Sequence, residues 1–75
     1  MVKSFIEFRN LIDEILSIKL LTVDNIEQLR IMLINIDPKK FGEYEEDAME
    51  FIKKILDKLP EYYKAIRERD YNLKN

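Results

Sequence analysis

Residues 29–36 run Leu29-Arg30-Ile31-Met32-Leu33-Ile34-Asn35-Ile36, and what covers this octet governs the architecture. Only Arg30 and Asn35 interrupt its apolar residues, so a helix here is apolar on nearly every side and has to be covered on nearly every side. In so short a chain the cover comes from other helices wrapped round this one or from a second subunit. On a helical wheel Ile26, Leu29, Leu33 and Ile36 make one face, while Ile31 and Ile34 point well away from it, toward Glu27 and Asn35. The first expectation is that other helices of the same chain cover Ile31 and Ile34. The functional alternative is an exposed apolar strip bordered by charge that seats a partner or a second copy of the chain. Homodimerisation is the commonest form of such a strip.

Outward from the octet, start and stop signals divide the rest of the chain into helices. Ser4 with Glu7 three residues on has the form of a capping box, and Phe5, Phe8, Leu11, Ile12, Ile15 and Ile18 follow at helical spacing. A first helix is predicted from about Ser4 to Ile18, then a connection over Lys19 to Val23. Thr22 or Asp24 opens the second helix, which runs to about Asn35. Asp37 before Pro38 marks the next start, because Pro suits the first helical position and the Asp can cap. Gly42, the single glycine, then offers a stop, yet Phe41, Tyr44, Ala48, Phe51, Ile55 and Leu59 keep one helical phase across it. Both a continuous helix from Pro38 to Leu59 and a short turn followed by a helix from Glu43 fit the pattern. Pro60 cannot continue a helix without removing a backbone hydrogen bond, but it can open one, so a last helix is predicted from about Pro60 to Asp70. In it Tyr62, Ile66 and Leu73 are the inward candidates.

The expected fold is therefore all-α, a small antiparallel bundle of four helices, or three if the last is only a short turn. Residues 1–75 make a single small helical domain with a C-terminus frayed from about residue 71. A core of this size leaves roughly 3–5 kcal/mol of net stability, and small domains commonly add a disulfide, a metal or a partner subunit. With no Cys and no His, disulfides and the nitrogen and sulfur ligands of structural zinc are missing. Self-association or very well packed helices remain. Charged residues at Lys3, Glu7 and Arg9 leave no signal-peptide core, and no apolar run approaches the roughly 18 residues of a membrane span. The expectation is a soluble, cytoplasmic protein with no membrane partner, no cofactor and no small-molecule substrate.

Chemistry is sparsely represented. There is no His for general-base work and no Cys nucleophile, and the only serines, Ser4 and Ser17, have no base of the usual kind beside them. No catalytic residue is assigned, and the chain is read as a non-enzyme. The densest carboxylate cluster holds Glu43, Glu45, Glu46, Asp47 and Glu50. Calcium loops place a turn-forming glycine between ligands, whereas Gly42 precedes this cluster, so no metal site is assigned. The plain reading is that acids at a helix start complement its dipole and that Glu50 pairs with Lys54 one turn on. The sharper one is an acidic docking surface of Glu43, Glu46, Asp47 and Glu50.

Net charge is −2, but its distribution is uneven: acids dominate up to Ile52 and bases from Lys53 onward. Lys53, Lys54, Lys58, Lys64, Arg67 and Arg69, near Tyr62, Tyr63 and Tyr71, combine phosphate contact with base stacking as nucleic-acid surfaces do. Glu61, Glu68 and Asp70 dilute the stretch. A helix-turn-helix built on helix two and the helix after Pro38 would carry Lys39 and Lys40 to DNA, but it would bring Glu43, Glu45, Glu46, Asp47 and Glu50 toward the same polyanion. The leading functional expectation is thus a small protein–protein interaction module, an adaptor, inhibitor or regulator working through helix faces, with Ile31 and Ile34 as its apolar contacts and itself as one candidate partner. The alternative is a small nucleic-acid-binding regulator using the basic C-terminal segment.

Overall fold

A computed structural model describes residues 2–74, with side chains over 5–73. It is all-helical among those residues: α1 spans Val2–Leu16, α2 Val23–Asn35 and α3 Glu45–Lys74, with a 3-10 turn over Pro38–Tyr44 between α2 and α3. There are three α-helices, not four, because the two helices expected on either side of Pro60 are one.

Each boundary has a local cause. Ser4 lies inside α1 and not at its cap, and its side chain is outside the described residues. The end of α1 tightens into i→i+3 bonds, Ser17 N–H to Glu14 O and Ile18 N–H to Ile15 O, while Ser17 Oγ donates back to Asp13 O at 2.7 Å. Of the two starts proposed for α2, Thr22 is the cap. Its Oγ1 accepts from Asn25 N–H at 3.1 Å and its own N–H donates to Asn25 Oδ1 at 3.0 Å, a capping box closed by Asn and not Glu. After α2, Asp37 Oδ1 accepts from Lys39 N–H at 3.0 Å with Pro38 in the first position, as the sequence signals imply.

Gly42 and Pro60 then behave in opposite ways. Gly42 sits at φ 60°, ψ −121°, close to the first central position of a type II′ turn, which L-residues avoid. Of the two readings of this segment, the short turn followed by a helix is the one adopted. At Pro60 the helix continues for 14 residues beyond the ring, to Lys74. The missing N–H and the ring clash cost about 3 kcal/mol. Buried Leu59 and Ile66 and half-buried Tyr62 and Tyr63 share one apolar phase with Ile52 and Ile55, and keeping that phase offsets the cost.

α2 runs antiparallel to both neighbours. Its C-terminal Leu33 and Ile36 lie beside Met49 and Ile52 of α3, its N-terminal Val23 and Glu27 beside Pro60 and Tyr63, and Met32 and Ile36 meet Phe8 and Leu11 of α1. The core follows the seam: Phe5, Phe8 and Ile12 from α1, Ile26, Leu29 and Leu33 from α2, Phe41 from the turn, and Ala48, Ile52, Ile55, Leu59 and Ile66 from α3. At one end Phe5 packs edge-on to Phe41 and Phe51 and stacked on Tyr44, at centroid distances of 5.7–6.4 Å. The molecule is a rod of 50 × 18 × 15 Å, with a radius of gyration of 14.1 Å against about 11 Å for a globule of this length.

Several residues expected inward are not. Leu11 and Ile18 are exposed although they share the spacing of the α1 core face, and Leu73 is 76% exposed. Leu73 continues the apolar phase of α3, but α2 is too short to lie opposite it.

Candidate functional site

The seam between α2 and α3 carries the surface of greatest interest. α2 holds more apolar residues than two neighbours can bury: α1 lies against the Met32 and Ile36 flank and α3 against the opposite one, leaving an outward arc. On that arc Ile31 is 50% and Ile34 57% exposed. The expectation that other helices of the chain cover them is corrected. The segment that would have folded back as a fourth helix is instead the second half of a 30-residue rod, so among the described residues no helix lies over that arc of α2.

Ile34 opens onto a groove shared with α3. Leu33, Ile36 and Ile52 form its floor, Met49, 52% exposed, and half-buried Leu56 and Pro38 its walls, and Lys53 and Asp57 its rim. Ile31 stands one helical turn before Ile34 on the same side. The strip named from sequence as Ile31 and Ile34 thus gains Met49 and Leu56. Their phase in α3 made both look like ordinary members of an amphipathic helix, and only the position of α2 shows that they border an open groove.

Farther along the same seam the lining becomes polar. Val23, Glu27, Arg30, Pro60, Tyr63, Lys64, Arg67 and Glu68 surround an open cleft. Glu27 Oε1 accepts from Arg30 Nε at 2.6 Å, and Glu27 Oε2 accepts from the Tyr63 hydroxyl at 2.9 Å. The Arg67 guanidinium lies 6.0 Å from the centre of the Tyr63 ring. Hydrogen bonds from Arg30 and then Tyr63 hold the Glu27 carboxyl below the usual glutamate range, and Glu27 in turn raises Arg30. Burial, followed by the hydrogen bond to Glu27, pushes the Tyr63 phenol up. The Glu27–Arg30 pair is legible as an i, i+3 pair, whereas its tie to Tyr63, 36 residues away, carried no sequence signal.

The other sequence candidates do not gather into single surfaces. Asp47 and Glu50 line a shallow groove with Phe5, Phe51, Lys54 and Arg9, whose guanidinium lies 5.5 Å from the Phe51 ring centre. Glu43 stands apart in the Gly42 turn, and Glu46 is exposed on the first turn of α3 outside that groove. Ion pairs within 4 Å among the described residues are Arg30–Glu27 and Arg69–Asp70, so the expected Glu50–Lys54 pair is not made. No three carboxylates converge there to hold a metal ion.

The bases of α3 divide between its flanks. Lys64 and Arg67 line the α2 cleft, Lys53 rims the apolar groove, Lys54 faces α1, Lys58 is exposed, and Arg69 is bound to Asp70. No helix among the described residues is long and apolar enough to cross a membrane. No family model matches the chain, and neither a curated protein nor a solved structure matches it.

Proposed function

We propose that the chain is a small protein–protein interaction module, an adaptor, inhibitor or regulator, that works non-enzymatically through the α2–α3 face. The observation carrying this reading is the half-exposure of Ile34 and Met49 on one apolar groove, with Ile31 half-exposed one turn before Ile34 on α2. Fully burying an Ile or Met is worth about 1.5–3 kcal/mol, so each of these side chains keeps roughly half of that for a partner. The groove is rimmed by Lys53 and Asp57 and lies on the same α2–α3 seam as the separate polar cleft of Arg30, Glu27 and Tyr63, an apolar centre beside a charged margin.

The test is capture from the native host's lysate on the immobilised chain, with and without nuclease, beside the variant Ile31→Glu/Ile34→Lys. The expected result is a stoichiometric protein that survives nuclease and is lost with the variant, while far-UV circular dichroism shows the variant folded. An unfolded variant would put the two isoleucines in the core and end the proposal. Capture that vanishes with nuclease and with Lys64→Glu/Arg67→Glu would transfer the function to nucleic-acid binding.

A further inference from the structure

We infer that the occupant of the α2–α3 groove is a second copy of this chain, packed about a two-fold axis; this rests on the interaction reading above. Surface area is the first support. A compact monomer of 9.1 kDa exposes about 4,900 Å². This chain exposes 5839 Å². The excess, about 900 Å², is spread along a rod 50 Å long whose α3 outruns its neighbours, and the uncovered Ile31, Ile34 and Met49 contribute to it.

Charge complementarity selects the copy. The rim of the groove carries one base and one acid, Lys53 and Asp57, a single turn apart on α3. A surface with both signs in line is complementary to itself when rotated by half a turn. A two-fold axis crossing the seam between these residues sets Lys53 of each copy against Asp57 of the other. Ile31 and Ile34 then close over the flank. A strongly charged partner would find half of this rim repulsive. A chain without disulfides also gains from the second copy the apolar cover that its three helices do not supply.

Analytical ultracentrifugation of the full chain, from micromolar to submillimolar concentration at physiological salt, tests this directly. The expected species has twice the 9.1 kDa mass. Lys53→Asp and Asp57→Lys each put like charges together at two symmetry-related places and weaken dimerisation about tenfold, and the double exchange restores it to within about twofold. Both side chains are exposed, so the folded monomer is untouched. A monomer throughout the range, or a dimer indifferent to all three variants, overturns the inference. If the wild type is monomeric but captures a protein that Ile31→Glu/Ile34→Lys loses, the interaction reading survives and only the second copy fails. If neither assay responds, both fail.

Discussion

Replacing Pro60 with Ala separates a continuous α3 from two helices meeting at a proline. In the continuous helix Pro60 lies inside α3, where it leaves the Leu56 carbonyl without its helical donor and presses its ring on the preceding turn. Pro is about 3 kcal/mol worse than Ala in a helix interior, and the restored backbone hydrogen bond alone is worth about 1 kcal/mol. Pro60 is exposed, so little packing is lost with its ring. Pro60→Ala is therefore expected to stabilise the chain by about 2 kcal/mol, raising Tm by roughly 8–16 °C for a domain of this size. If instead Pro60 opened a separate helix, its fixed φ would help, and Ala would lower stability by about 0.4–1 kcal/mol. The two architectures give opposite signs. Urea unfolding followed by far-UV circular dichroism reads the difference, at matched chain concentration because association stabilises the folded state. A midpoint unchanged or lowered by the substitution refutes the continuous helix.

Gly42→Ala should cost about 1–3 kcal/mol in the same assay although open space awaits the new Cβ, because φ 60° with ψ −121° is closed to L-residues; a neutral result would mean that the turn rebuilds. Leu33→Ala, at a site 2% exposed, should cost about 3 kcal/mol, whereas Ile34→Ala next to it costs under about 1 kcal/mol; equal costs would place Ile34 in the core. Glu27 has a folded pKa below its unfolded one, so its contribution to stability is full above the ordinary value near 4.5 and is lost as pH falls through the depressed one. Glu27→Gln should flatten stability against pH in that acidic window, and Tyr63→Phe should move the Glu27 titration, followed by NMR, back upward; an unmoved titration would deny the hydrogen bond.

Local signals in the chain were sufficient for much of the fold. The 3.6-residue spacing of Phe5, Phe8 and Ile12, of Ile26, Leu29 and Leu33, and of Ala48, Ile55 and Leu59 marks three helix faces, and all of these residues are buried; on the third face Phe51, read as inward, is half-buried, and its neighbour Ile52 is the buried one. Thr22 and the Asp37–Pro38 pair were readable as starts because a cap is an interaction among residues two or three apart. The surplus of apolar residues on α2 was equally plain, although its consequence was not.

Tertiary structure decided what depends on distant cover. Pro60 is the stronger local helix breaker, at about 3 kcal/mol against about 1 for Gly42, yet burial of Leu59, Tyr62 and Ile66 against neighbouring elements outweighs the defect at Pro60, while φ 60° at Gly42 lets the chain turn from α2 into α3. That choice turns a fourth helix into the end of a rod. It leaves Ile31, Ile34 and Met49 uncovered, leaves Leu73 with no helix opposite, and brings Tyr63 to Glu27. Periodicity states which side of a helix is apolar; whether anything lies over that side depends on where the other helices run, and burial free energy is settled only there.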